Sequence, residues 1–488
     1  MAASSIPGAA ANRRYVLSLP LLIGVIVYAT TLSIGSFTLD DPDPYWQIVT
    51  GRWILAHHTV PHQDPFSYTM FGAPWVAHEW LAEVGAAVLY DHLGWAGLVL
   101  AAAVALAAAV SLLLRALLRY LDPAAALIGT LGFWGLSLPH ALARPHLFAM
   151  PILVAWLALL VDARNKERAP SPWAALLMVP WANLHGGYLL GDAFVVMFAV
   201  EMALDQPDWA SLRRQAPGWL WFFALSVLAG CVTPNGLEAL TLPFRLARMD
   251  TMMSLVKEWQ APNFQQGGEP LEAWLLLALL GALSFGIRLP VTRVAMLLLL
   301  LHLALTHRRF AELLGLAAPL LVAPSLAPQI VWRSATLPKT KLSWVRHLAG
   351  AGGLAFAGGV VALLAWGVIA RGVVNDSARY TPAAAVAFVQ ANHVAGPVLN
   401  SYNFGGYLIF LGIAPYIDSR AELYGDAFIK RDKDPALAPA LLKQYHVAWT
   451  LLDLKDPRVG ILDGLRGWRR LYADDRAVVH VNDNAASF

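Results

Sequence analysis

The segment Leu39-Asp40-Asp41-Pro42-Asp43-Pro44-Tyr45-Trp46 places three carboxylates directly after an apolar run, residues 15–37. That run is long enough to cross a bilayer. Charge at the point where a chain leaves hydrocarbon is costly and needs a use. Pro42 and Pro44 predict an extended segment, in which Asp41 and Asp43 point to one face. Carboxylates so paired repel, and one of them rises toward the working range of a general base. The same pair suits a divalent cation, magnesium or manganese, and the spacing does not choose between the two uses. The plain alternative is a polar loop that ends a helix.

Guanidinium groups supply the opposite charge. Arg308 and Arg309 follow His307 and precede Glu312. Arg52 and Arg144 also lie near the ends of apolar runs, as do Arg245 and Arg248. A bidentate guanidinium fits phosphate oxygens, and the competing role is contact with anionic lipid headgroups. His78-Glu79 and His185 add groups that can orient a substrate or solvate a polar cavity. No H-E-x-x-H spacing occurs, and no residue is assigned as a metal ligand.

These groups need a scaffold, and the composition says which kind. The chain has 488 residues, of which 58% are hydrophobic and 14% charged. A soluble chain carries about a quarter charged residues, so this is an α-helical polytopic membrane protein. The single cysteine, Cys231, excludes an internal disulfide. The net charge of +3 does not point to a nucleic acid, and membrane lipids are the expected surroundings. Apolar runs predict about eleven spans, at 15–37, 93–114, 123–139, 147–161, 173–184, 188–204, 218–232, 271–287, 291–305, 311–330 and 348–370. Arg13 and Arg14 precede the first run, which reads as an uncleaved helix. They put the N-terminus in the cytoplasm, and the remaining basic loops fall on that same side. One such loop carries Arg164, Lys166 and Arg168, and another Arg333, Lys339, Lys341 and Arg346. The Asp41 segment then lies outside the cytoplasm, in a first outer loop over 38–92.

Within that loop, 46–54 predicts an amphipathic helix lying on the membrane, and 75–81 begins a second surface helix. Trp46, Trp53, Trp75 and Trp80 fit an interfacial belt, with stacking on a sugar ring as the functional alternative. After a membrane domain over 1–370, the chain over 371–488 is more charged and predicts a soluble extracytoplasmic α/β domain. Strands are expected at 396–399, 415–417, 447–452 and 477–481, with helices at 382–392 and 435–445. Asp418 and Arg420 sit at an expected strand end, where either a structural ion pair or acceptor binding places them.

A first span ending in acidic residues, followed by an outer loop with two surface helices, resembles the GT-C superfamily of membrane glycosyltransferases. Asp43-Pro44-Tyr45 is similar to the acidic segment near the catalytic carboxylate of oligosaccharyltransferases. Uncharacterised bacterial membrane proteins of this type share further motifs. These are Asp64 to Thr69, His78 to Leu81, Trp181 to Gly187, Gly405 to Leu408 and Ile417 to Arg420. Tyr45 and Gln47 stand where that pattern has tryptophan and histidine. The resemblance implies a GT-C-like bundle in a bacterial inner membrane. It implies a polyprenyl-phosphate-linked sugar donor and a saccharide, lipid or protein acceptor. Asp41 or Asp43 would be the base, and the outer arginines would neutralise the departing lipid phosphate. Transport or flipping of a lipid-linked saccharide, and a non-catalytic part in envelope polysaccharide assembly, are the competing functions.

Overall fold

Helix starts along the chain are written in prolines and short polar caps. Ser18 caps helix α1 (Leu19–Ser33), accepting from the Leu21 N–H, and Pro20 fills its first turn. Asp122 caps α5 (Pro123–Ser137), accepting from the N–H groups of Ala124 and Ala125 at 2.9 and 3.2 Å. Proline costs nothing at these positions, where its missing N–H would have had no partner. The computed structural model describes residues 18–246, 248–329, 351–377 and 379–483. Arg13 and Arg14, the basic stretch from Arg333 to Arg346, and His347 lie outside the described residues.

The bundle is built around α4 (Trp95–Leu117), whose Ala102, Leu106, Ala109, Val110 and Leu113 are fully buried. Alanine on this face lets neighbouring helices approach closely, the usual solution where lipid offers no hydrophobic drive between helices. Helix α1 packs on one side, with Ser111 Oγ donating to the Pro20 carbonyl at 2.9 Å. Helix α6 (Pro145–Asn165) packs on another. Helices α7 (Met178–Leu184), α8 (Tyr188–Leu204), α9 (Trp209–Gly230), α10 (Glu238–Leu246), α11 (Asp250–Leu255), α12 (Pro270–Phe285), α13 (Val291–Thr306), α14 (Ala311–Leu326) and α15 (Ala351–Arg371) complete the bundle. Among the described residues, four helices are long and apolar enough to cross a membrane: Trp95–Leu117, Pro145–Asn165, Arg308–Leu326 and Gly352–Arg371. The chain is an integral membrane protein on that ground. The expected span at 173–184 is broken into a 3-10 turn, Pro172–Leu177, and the seven-residue α7.

The first outer loop departs from expectation. Pro42 and Pro44 do not hold it extended; helix α2 (Asp43–His57) begins there, with Pro44 in its first turn. The Asp41 carboxylate accepts the Asp43 N–H at 2.9 Å and so replaces the missing helical partner. Nor does α2 bury one face alone. It is buried on several sides, against α3 (Trp80–Leu93) and against the C-terminal domain, with Tyr45 and Ile48 at 2% and 0% exposure.

The C-terminal domain holds a four-stranded mixed sheet in the order β1-β2-β4-β3. Strand β1 (Val398–Asn400) runs parallel to β2 (Trp449–Asp453), and β4 (Ala477–Asn482) is antiparallel to both β2 and β3 (Trp468–Ala473). The expected strand at 415–417 is absent. Its backbone is held by the Asn400 side chain, which accepts the Tyr416 N–H at 2.8 Å and donates to the Ile417 carbonyl at 2.7 Å. An amide side chain there does the work of a strand. Strand β3 lies outside the sequence expectation, because its exposed Arg469 and Arg470 break the apolar pattern.

Candidate active site

Arg144 is the residue on which the site converges. It sits in extended backbone just before α6. The preceding Ala143 N–H donates to the Thr38 carbonyl at 2.7 Å, which pins this corner to the α1–α2 connection. Its guanidinium pairs with Asp41, lies 3.6 Å from Asp43 Oδ2, and donates to Glu258 Oε1 at 2.7 Å. One cation thus gathers three carboxylates from two distant parts of the chain.

Burial sets the charge state of this cluster. Asp41 is 1% exposed. Burial pushes its carboxyl up to about 7 against the pull of Arg144, and the neighbouring Asp43 charge adds to the rise. Burial would also raise Glu258, but Arg144 and then Arg309 outweigh it and hold that carboxyl at about 2. Arg144 itself is destabilised by burial, yet Asp41, Glu258 and Asp43 keep it firmly charged.

The cluster opens on a cavity of about 1880 Å³ between the membrane helices and the C-terminal domain. Its walls bring together Asp41, Asp43, His78, Glu79, Arg144, His185, His307, Arg308 and Arg309. Glu79 lies 3.8 Å from the Nε2 atoms of both His78 and His185. The two are neighbours because Trp80 Nε1 donates to Asn183 Oδ1 at 2.5 Å, and Asn183 in turn donates to the Val232 carbonyl at 2.8 Å. Across the cavity, Arg308 is spent on an ion pair with Glu269. Arg309 is not: its guanidinium lies 4.3 Å from the Trp259 ring centre, and no carboxylate oxygen among the described residues is within 4 Å of it. His307 Nδ1 meets the Trp259 carbonyl at 2.6 Å, which fixes that tryptophan beneath Arg309.

Four of the arginine and aspartate candidates, Arg52, Arg245, Asp418 and Arg420, are elsewhere. Arg52 is half exposed and pairs with Asp91, its Nε donating at 2.9 Å, away from the cavity. Asp418 and Arg420 are fully buried. Arg420 donates to both Asp418 oxygens at 2.8 and 2.7 Å and to Asp64 Oδ1 at 2.7 Å. Asp64 also accepts the N–H groups of Phe66 and Ser67 at 3.0 Å each. That network ties the first outer loop to the C-terminal domain and leaves nothing for a substrate. Arg245 pairs with Glu238 at the surface.

Glu258, Trp259, Glu312, Tyr402 and Ser419 also reach the cavity. Glu258 follows α11 in a short turn, and nothing in its local pattern distinguishes it from any surface glutamate. A divalent cation finds no ready donor set. The carboxylates of Asp41, Asp43 and Glu258 already face one guanidinium, and among the described residues no trio of His, Cys, Asp or Glu is placed to hold a metal.

The state of Glu79 gives a pH prediction. Burial pushes it up to about 7, with the His78 charge pulling the other way. Its folded value is therefore above the unfolded one, so the group favours the fold below the usual carboxyl range and loses that contribution as pH rises through 7. Glu79→Gln should raise the thermal-unfolding midpoint at pH 8.5, the gain shrinking toward pH 5, with an upper bound of about 3 kcal/mol. An equal change at both pH values would mean that Glu79 ionisation does not differ between folded and unfolded chains.

No family model matches the chain, and no curated protein matches it in sequence. Solved structures do match in fold. The oligosaccharyltransferase AglB of Archaeoglobus fulgidus, in complex with an inhibitory peptide and a dolichol-phosphate, superposes with a TM-score of 0.51 at 11% identity, over 87% of this chain and 69% of that one. A second structure of the A. fulgidus oligosaccharyltransferase, tethered to an acceptor peptide, gives 0.50 at 11% identity over 95% and 74%. ArnT of Cupriavidus metallidurans, bound to undecaprenyl phosphate, matches more weakly, at 0.44 and 15% identity over 94% and 98%. Over most of its length the fold of this chain is similar to that of these two oligosaccharyltransferase structures.

Proposed function

We propose that this chain is a membrane glycosyltransferase of a bacterial inner membrane. It moves a sugar from a polyprenyl-phosphate-linked donor to an acceptor on the extracytoplasmic side. The observation that carries the reading is the juxtaposition, in one cavity, of a guanidinium-held carboxylate cluster with Arg309, which among the described residues has no carboxylate oxygen within 4 Å. The two halves match the two ends of the reaction. The acceptor oxygen attacks the anomeric carbon, its proton passes to a carboxylate, and the bond from sugar to phosphate breaks with its electrons leaving on the phosphate.

Between the two aspartates, Asp43 is the better base. Asp41 is buried, with one oxygen taken by the Asp43 N–H and the other by Arg144. The Asp43 side chain is 22% exposed and faces the cavity. Asp41 and Arg144 then hold Asp43 in place. Arg309 takes the lipid phosphate, steadied by the face of Trp259. Exchange of the sugar for a proton on the acceptor needs no metal in this scheme.

Arg309→Gln should weaken binding of polyprenyl phosphate to the detergent-purified protein by about tenfold or more, since a charge-assisted contact is lost. Microscale thermophoresis reads this directly, with Arg52→Gln as a control that leaves affinity unchanged. Equal affinity of Arg309→Gln and the wild-type chain would remove the phosphate from this place.

A further inference from the structure

The C-terminal domain does more than cover the cavity. It touches the Asp40–Trp46 segment at several points. Ser377 Oγ donates to Asp40, and Tyr45 Oη lies 2.6 Å from Thr381 Oγ1 and 3.1 Å from the Asn375 carbonyl. Gly406 packs directly on the Pro42 carbonyl; a Cβ there would come within 2.5 Å of it, so no larger residue fits unmoved. These contacts fix the backbone beneath Asp43.

One contact reaches the Asp43 side chain. Trp46 is 6% exposed, so it belongs to no interfacial belt. Its indole N–H lies 3.2 Å from Asp43 Oδ1 and 3.0 Å from Ser419 Oγ. The ring is held edge-on to Trp75, centroids 6.1 Å apart, and Trp75 Nε1 donates to Glu422 at 3.1 Å. A buried indole needs only one acceptor, and Ser419 alone would satisfy it. The second acceptor is a carboxylate that opens on the cavity.

We infer that Trp46 is a positioning residue for Asp43, through which Ser419 of the C-terminal domain sets the angle of that carboxylate in the cavity. The inference rests on the reading of Asp43 as the base. The indole N–H fixes one carboxylate oxygen, Oδ1, and leaves Oδ2, which lies 3.6 Å from Arg144, for the acceptor. The other groups facing Asp43 are Arg144 and Asp41 beside it, Glu79 at the start of α3, and Tyr402 of the C-terminal domain. None of these changes when the indole is replaced by a phenyl ring.

The test is donor turnover by the full chain in proteoliposomes, with a panel of radiolabelled polyprenyl-phosphate sugars and release of polyprenyl phosphate as the readout. Trp46→Phe keeps an aromatic ring and deletes the N–H. It should lower kcat by about tenfold, a part of what a general base contributes. KM for the donor should stay unchanged. Ser419→Ala should give a smaller loss in the same direction, and Ser419→Thr should restore it. Wild-type kcat in Trp46→Phe, with Asp43→Asn inactive, overturns the inference and leaves the proposed function standing. Full turnover by Asp43→Asn, or no turnover of any donor by the wild-type chain, overturns both. If Trp46→Phe does not fold, the Ser419 pair decides.

Discussion

Replacing Asp43 by asparagine is expected to lower donor turnover by about two to four orders of magnitude, the usual worth of a positioned base. The fold should survive, because an asparagine side chain keeps the shape of the aspartate and can still accept from the Trp46 indole. Donor affinity should also survive, since the proposed phosphate contact lies across the cavity at Arg309. Asp41→Asn is expected to act differently. It loosens the Arg144 guanidinium that also faces Asp43, so the loss of turnover should be smaller. Purified variants assayed side by side for turnover, donor affinity and thermal midpoint separate the two aspartates. Equal and complete losses with unfolding in both would mean that the pair is structural.

The largest effect on stability is expected at Arg420. Its side chain is fully buried between Asp418 and Asp64, with its plane over the Trp75 ring at 4.6 Å. Burial works against its charge, but the Asp418 carboxylate first and Asp64 after it hold the guanidinium far above its ordinary range. Arg420→Met leaves two buried carboxylates without a cation, and breaking such a network costs about 3–5 kcal/mol. The contact between the first outer loop and the C-terminal domain should open, visible as faster proteolysis near residue 64 and a lower unfolding midpoint. Adding Asp64→Asn should recover part of the loss, because one of the stranded charges is removed. A stable Arg420→Met protein with weakened donor or acceptor binding would return Arg420 to the list of ligand contacts.

The different fates of Arg420 and Arg309 show what the sequence can and cannot say. Both are arginines at the end of an expected element. Charges at the ends of apolar runs are legible, because hydrocarbon forces them to one boundary, and Asp41, Arg144, His185 and Arg309 do meet in one cavity. Which cation meets which anion is not legible, since pairing is set by packing between segments hundreds of residues apart. Arg420 and Asp64 are separated by 356 residues. Arg308 and Arg309 are adjacent, yet one is spent on Glu269 and the other has no ion pair among the described residues. Glu258 carries no local signal at all; only the return of its loop to Arg144 gives it meaning. The helix at Asp43 escapes the sequence for a simpler reason. Proline both ends helices and begins them, and the cap that decides between the two is the Asp41 side chain.

The most direct test is to follow the bond between sugar and phosphate in proteoliposomes loaded with doubly labelled polyprenyl-phosphate sugar, one label on each half. Transfer by the Asp43 site predicts that the labels separate, that the sugar appears on acceptor, and that both changes vanish in Asp43→Asn. Donor that crosses the bilayer with both labels still joined, at a rate Asp43→Asn does not alter, would make the cavity a passage and contradict the account.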